Sequence, residues 1–305
     1  MSVTREAVRF VRGDIEYAAW YHPGTSGACV IMAGGLGVPK GPGTDLFAPR
    51  FQEAGLGVLA FDYRNFGESG GRWRQVARVA DQLADWHAAI AYARSLPGID
   101  PDRIALWAFS ASGGHVLRVA AADPRVAAVI AQTPNVDGPT VSRHAARYQR
   151  PGAMLRLVGH ALADTVGGLL GRPPRTVPLA GPPGTVALVS TPDSQVGPRA
   201  LRAGEYPEWR QEIAARVVFG QSLYRPGRVI SRVRCPLLVL VCDDDRTALA
   251  EPAARAVRRA PRGELVRMPG GHYEPFLDGH ERALEAELSF LRRHVLSVDA
   301  TAAAG

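Results

Sequence analysis

Three short stretches carry residue types that together can do acyl-transfer chemistry: "WAFSASGG" around Ser110, "VCDDDR" over positions 241–246, and "MPGGHYEPF" around His272. A serine hydroxyl becomes a useful nucleophile when an imidazole takes its proton. That imidazole in turn needs a carboxylate to hold its tautomer. Each stretch follows an apolar run ("IALWAF", "PLLVLVC", "GELVRM"), so serine, acid and histidine fall in turns just past strand ends, in that chain order. Around the serine the chain reads Ala108-Phe109-Ser110-Ala111-Ser112, then Gly113 and Gly114. Small residues suit a strained turn where a helix must pass close to the strand that feeds it. A tetrahedral oxyanion also needs donors. The backbone N–H of Ala111 is one candidate. The second is Leu36, in a loop that Gly34, Gly35 and Gly37 allow to turn inward. The spacing GGLG fits neither the dinucleotide nor the Walker phosphate pattern.

The elements that must position these residues alternate along the chain. "VRFVRGDIEYAAWY" reads as an edge hairpin, followed by the strand "ACVIMAGG", a helix in "GTDLFAPRFQEAG" with Gly55 as its stop, and the strand "GVLAFDY". The long amphipathic stretch "QVARVADQLADWHAAIAYARSLPG" reads as a helix. After it come the strand "RIALWAF", the helix "GGHVLRVAAAD" and the strand "VAAVIAQTP". Late in the chain the strands "PLLVLVC" and "GELVRM" alternate with the helices "EPAARAVRRAP" and "HERALEAELSFLRRHV". Strands separated by helices of this length require crossovers, hence a mostly parallel twisted sheet with helices on both faces.

The rhythm is lost between these blocks. The expected organisation is a core of 1–137 and 235–297, an inserted cap of 138–234 and a flexible tail of 298–305. Within the insertion "GRPPRTVPLAGPPGTVALV" reads as ordered irregular structure and "EYPEWRQEIAARVVFGQSLY" as helix. An insertion this long has structure of its own. On a parallel sheet it sits over the C-terminal strand ends, where such sheets bind ligands.

Composition narrows the function classes. At 46% hydrophobic and 21% charged, the 305-residue chain can bury a sizeable core. The net charge of +7 is almost all arginine, Lys40 being the one lysine, and it is spread without a basic run. "VRRAPRGELVR" reads as a solvated helix surface, so no nucleic-acid partner is expected. Cys29, Cys235 and Cys242 have no metal-ligand spacing and read as reduced core thiols. The first ten residues hold no apolar signal core, and no stretch approaches the ~20 apolar residues that span a bilayer. A cytoplasmic protein without membrane, metal or cofactor is expected; a homodimer is left open.

With these motifs in place the chain resembles the α/β-hydrolase superfamily, from "CVIMAGGLG" through "GLGVLAFDYRNFGESGG", the serine turn and "VCDDD" to "GGHYEPF". More narrowly, "LWAFSASGGHVLRVAAADPRVAAVIAQTP" and "PPGTVALVSTPDS" resemble a group of bacterial hydrolases, some of them attached to natural-product pathways. The resemblance implies Ser110 as nucleophile, Asp245 as acid (Cys242 standing at the glycine of a G-x-x-D pattern) and His272 as base. Asp137 is a second position where some members place the acid. Asp243 and Asp244 read as solvated or helix-capping. Three departures stand out. Gly34-Gly35 replaces the usual His-Gly and removes a side chain that braces the oxyanion loop. Ala108 and Ser112 replace both glycines of the turn. Ser112 reads as a small spacer one turn into the helix, facing away, and is the alternative nucleophile.

The expected activity is cleavage of a carboxylic ester or thioester through an acyl-enzyme. The alternatives are a non-hydrolytic tailoring lyase, cyclase or acyltransferase with the same residues, and a catalytically silent binding protein. Cap aromatics Tyr148, Tyr206, Trp209, Phe219 and Tyr224 suit a medium or large hydrophobic substrate, a small-molecule acyl compound, or else form the cap's own core. Phe109, Tyr148, Trp209 and Tyr273 are the expected substrate contacts.

Overall fold

The computed structural model describes residues 5–297; the proposed tail, 298–305, lies outside them. The opening hairpin is β1 (Glu6–Arg12) and β2 (Ile15–His22), paired antiparallel. Then follow β3 (Cys29–Ala33), α1 (Thr44–Glu53), β4 (Gly57–Phe61), α2 (Val79–Ala93), β5 (Ile104–Phe109), α3 (Ser110–Ala122) and β6 (Val126–Gln132). Every residue of β3, β4 and β5 is buried, as strands covered on both faces by helices must be. Helix α2 starts at Val79 and not at Gln75. Gln75 is held at φ 65°, and its side-chain amide donates to the carbonyls of Arg210 and Glu212.

Residues 138–234 carry α4 (Gly138–Ala145), α5 (Pro151–Leu169), the short strand β7 (Thr176–Pro178), α6 (Gly197–Ala200), β8 (Glu212–Ala214) and α7 (Val217–Leu223). Here one expectation is corrected. "EYPEWRQEIAARVVFGQSLY" is helical only over Val217–Leu223. Glu212–Ala214 pairs with β7, and the backbone N–H groups of Ala214 and Ala215 donate to Gln75 and Arg175. Long-range partners therefore outbid the local turn. The 19-residue α5 had no sequence forecast. Its apolar residues point both inward (Leu157, Ala161) and outward (Leu155, Leu162, Val166), which erases the 3.6-residue period.

The rhythm resumes with β9 (Leu237–Cys242), α8 (Ala250–Val257), β10 (Gly263–Met268) and α9 (His280–Leu291). "VRRAPRGELVR" is not one helix surface: it runs from the end of α8 through a turn into β10. The eight strands lie in the order β1-β2-β4-β3-β5-β6-β9-β10, with β4 through β10 mutually parallel. The chain leaves β3 for β4 on one side and returns to β5 on the other. The loops after β3 and β5 thus meet over neighbouring strand ends, where open sheets bind ligands.

Alternate strand residues build two cores, one on each face. Ile31, Leu106 and Val129 pack with Trp86 on one side; Val30, Trp107 and Ile130 pack with Phe47 and Phe290 on the other. In the second core the Trp107 indole N–H donates to Glu287 at 2.9 Å. Burial pushes the Glu287 carboxyl up to about 8, against a slight lowering by that bond. The unfolded chain ionises this group near ~4.3, so the folded state holds an extra proton between the two values, and stability falls as pH rises through that window. Glu287→Gln is expected to raise Tm at pH ~8 by several degrees and to flatten the slope of Tm against pH above ~4.3, read by thermal denaturation.

Candidate active site

Strand β5 is buried along its whole length and delivers Ser110 at φ 59°, a left-handed backbone that a side chain adopts only under constraint. Close packing supplies the constraint. A Cβ on Gly113 would stand 2.9 Å from Pro134, and one on Gly114 would stand 2.5 Å from the Asn135 carbonyl. The first turn of α3 can therefore lie on the loop after β6 only because both positions are glycine. The Asn135 N–H then donates to the Ser110 carbonyl at 3.0 Å. Farther along α3, burial drives His115 down to about 3; this neutral ring contacts Tyr224 and Gln82 rather than the site.

Ser110 Oγ lies 3.0 Å from His272 Nε2, and His272 Nδ1 lies 2.8 Å from Asp245 Oδ2. Asp245 also accepts the N–H groups of Thr247 (2.8 Å) and Ala248 (2.7 Å). Burial raises the Asp245 pKa, but the facing imidazole and these amides outweigh it and hold the carboxyl below its usual range. Burial likewise lowers the His272 pKa, but the Asp245 charge and hydrogen bond, with a smaller contribution from Asp193, hold it above the usual value. An ionised Asp245 accepts from Nδ1–H, which leaves Nε2 free to accept the Ser110 proton. The other acids lie elsewhere. Asp137 caps α4 and faces Arg225 at 3.5 Å, Asp243 pairs with Arg267 at 2.7 Å, and Asp244 is exposed.

A residue that sequence reasoning missed joins this group from the stretch 138–234. Asp193 Oδ2 accepts the backbone N–H of Arg246 (2.8 Å) and of His272 (3.2 Å), while its Oδ1 accepts from Thr247 Oγ1 at 3.0 Å. One carboxylate thus ties the acid loop to the histidine loop. Its only signal was its place in "PPGTVALVSTPDS". If His272 must be neutral to act, kcat/KM falls on acidification with a midpoint above the ordinary ~6.5 of imidazole. Asp193→Asn removes one of the charges that favour the imidazolium, so it is expected to move that limb to lower pH. A pH–rate profile of both proteins checks the shift.

The loop after β3 is fastened from several sides. The Trp209 indole N–H donates to the Gly37 carbonyl at 2.9 Å. Lys40 gives its backbone N–H (2.7 Å) and its ammonium (2.8 Å) to Asp62, and its ammonium also meets Glu68. Asp62 and Glu68 belong to "FDYRNFGESGG", so that stretch is the buckle of the loop. Leu36 and Ala111 both line the cavity that reaches Ser110. Ser112 does not face away, as expected of a spacer: its hydroxyl donates to the Gly34 carbonyl at 2.5 Å.

That cavity measures about 270 Å³ and is bounded by both the sheet end and residues of 138–234. Phe109, Trp209 and Tyr273 line it; Tyr148 does not, its ring lying beside His144 instead. Tyr206 bonds Asp45 at 2.7 Å and Tyr224 packs on His115, so they are packing residues. Most of the apolar wall is aliphatic, from Val141, Leu157, Leu179, Leu188 and Val218. These residues are spread over α4, α5, α7 and the loops between them, and nothing in the sequence singled them out. The thiols serve no visible chemistry; burial pushes Cys29 up to about 12 and Cys235 to about 11. Among the described residues no three His, Cys, Asp or Glu are grouped to hold a metal, and no helix is long and apolar enough to cross a membrane.

A mostly parallel sheet with Ser110, Asp245 and His272 hydrogen-bonded across its strand ends is the arrangement of one large enzyme class, and the chain belongs to it: the alpha/beta hydrolase family model matches residues 31–286. Among particular relatives, it is 41% identical over 294 residues to the quorum-quenching protein AidA of Acinetobacter baumannii, covering 94% of each chain. It is 31% identical over 301 residues to the polyketide transferase af380 of Aspergillus fumigatus, covering 96% of this chain and 99% of that protein. The crystal structure of the alpha/beta hydrolase GrgF from Penicillium sp. superposes with a TM-score of 0.80 at 24% identity, over 96% of this chain and 99% of that one.

Proposed function

We propose that this protein is a serine hydrolase that cleaves a hydrophobic carboxylic ester or thioester through an acyl-enzyme. The observation that carries the reading is the unbroken chain Ser110 Oγ–His272–Asp245 opening onto a largely aliphatic cavity. His272 Nε2 takes the hydroxyl proton as Ser110 Oγ bonds to the acyl carbon. The N–H groups of Leu36 and Ala111 receive the oxyanion. His272 then protonates the leaving alcohol or thiol. Water, deprotonated by the same nitrogen, attacks the acyl-enzyme and frees the acid. Residues 138–234 are read as the cap that shapes the acyl cavity. The likeness to a quorum-quenching protein makes quorum-signalling compounds that carry an ester or thioester the first substrates to try.

A second reading keeps the acyl-enzyme and changes the acceptor. The likeness to a polyketide transferase, and a cavity walled largely by hydrocarbon, favour capture of the acyl group by a bound alcohol instead of water. Labelling with a fluorophosphonate probe, with Ser110→Ala and Ser112→Ala as controls, tests the common step. Product analysis of acyl esters and thioesters, with and without an added alcohol, separates hydrolysis from transfer. Labelling that survives in Ser110→Ala refutes both readings; absence of labelling in the unmodified protein points to a silent binding protein.

A further inference from the structure

We infer that Ser112 is a positioning residue for the oxyanion loop, supplying from the serine turn the brace that Gly34 cannot carry. This rests on the reading of Ser110 as nucleophile. The Trp86 indole N–H donates to Tyr63 Oη at 2.7 Å, Tyr63 Oη–H donates to Ser112 Oγ at 2.9 Å, and Ser112 Oγ–H donates to the Gly34 carbonyl at 2.5 Å. All four residues are buried. An indole can only donate and a carbonyl can only accept, so both hydroxyl protons of the chain have one orientation. Burial raises the Tyr63 pKa far above any working pH, which keeps its proton in place.

The consequence lies in the peptide plane. The Gly34 carbonyl and the Gly35 N–H belong to one rigid unit and point in opposite directions. Holding the carbonyl toward the start of α3 therefore fixes how the chain enters Gly35 and Leu36, at the cavity wall. Gly34 has no room for a brace of its own, because a Cβ there would stand 2.5 Å from the Val38 carbonyl. Nor has Gly35, whose Cβ would stand 2.9 Å from the Phe109 ring. Ser112 stands two residues after Ser110 in the same helical turn, so one rigid element holds both the attacking oxygen and the loop that would receive the oxyanion. Tyr63 comes from "FDYRNFGESGG", the stretch that also fastens Lys40 at the far end of the loop.

The test compares Ser112→Ala and Tyr63→Phe with the unmodified enzyme on its best acyl ester, and measures binding of a boronic acid that forms a tetrahedral adduct with serine. Ser112→Ala is expected to lower kcat roughly ten- to a hundredfold, short of the ~100- to 1000-fold cost of deleting an oxyanion donor itself. KM is expected to stay within about twofold, and boronate affinity to fall by the same factor as kcat, because the loss is confined to the tetrahedral state. Tyr63→Phe, which keeps the ring but removes the donor that orients the Ser112 hydroxyl, is expected to lower kcat about two- to tenfold. If Ser112→Ala does not fold, Tyr63→Phe alone decides the matter. Lower thermal stability with unchanged kcat and boronate affinity makes Ser112 a packing residue and overturns the inference. Ser110→Ala is assayed alongside: if it remains active, the nucleophile assignment fails, whereas an inactive Ser110→Ala beside an unimpaired Ser112→Ala defeats only the role given to Ser112.

Discussion

Ser110→Ala is expected to reduce acyl-ester turnover by about 10^4- to 10^6-fold and to end covalent labelling, with the fold retained. Removing the hydroxyl deletes the one oxygen hydrogen-bonded to His272 Nε2 among the described residues, at 3.0 Å, and none of these is placed to substitute for it. Ser112, two residues on, is no substitute, since its proton is committed to Gly34 and its oxygen to Tyr63. A second measurement ties the loss to the turn. A non-glycine residue in left-handed backbone costs of the order of 1–3 kcal/mol, and glycine removes that cost. Ser110→Gly should therefore be inactive yet melt above Ser110→Ala. Residual activity within tenfold of the unmodified protein, or labelling that persists, would overturn the assignment.

Asp245→Asn is expected to lower kcat by about 10^4-fold with little change in stability or in substrate binding. The reason is a tautomer and not a lost contact. Asp245 Oδ1 is held by two amides, so the Asn oxygen would settle there and its NH2 would turn toward His272 Nδ1. A donor at that position makes Nδ1 an acceptor and moves the ring proton to Nε2, which can then no longer take the Ser110 proton. Asp193 cannot take over, because it reaches only the backbone N–H of His272, never the ring. Steady-state kinetics of Asp245→Asn beside Asp193→Asn separates the two carboxylates. The first should be nearly dead at every pH, the second active with a displaced acid limb. Equal losses in both would mean that Asp245 serves only to hold the loop.

The order of the strands' loops, the serine turn, the glycine loop and the late histidine were readable as residue types at strand ends, because buried parallel strands must be continuous apolar runs and the turns that follow them must be small or polar. The inserted segment was not readable in the same way. Helix α5 hides its period behind Leu155, Leu162 and Val166, and Glu212–Ala214 becomes a strand only because Thr176–Pro178 lies beside it. Tyr148 was expected at the substrate and lies beside His144 outside the cavity lining, while Asp193, which no spacing singled out, grips both the acid and the histidine loops.

By itself, then, the sequence determined the class of fold and put a serine, a histidine and a short list of acids at strand ends. Hydrophobic runs, turn residues and chain order are local properties that survive in one dimension. Only the tertiary structure decided which acid pairs with His272, which residues of 138–234 reach the cavity, and that Ser112 turns toward Gly34 instead of away from it. Those outcomes depend on distances of about 3 Å between residues as far apart as 34 and 112 or 193 and 272. Such distances are set by how β3 and β5 neighbour each other and by how residues 138–234 pack at the strand ends, and no spacing along the chain records either.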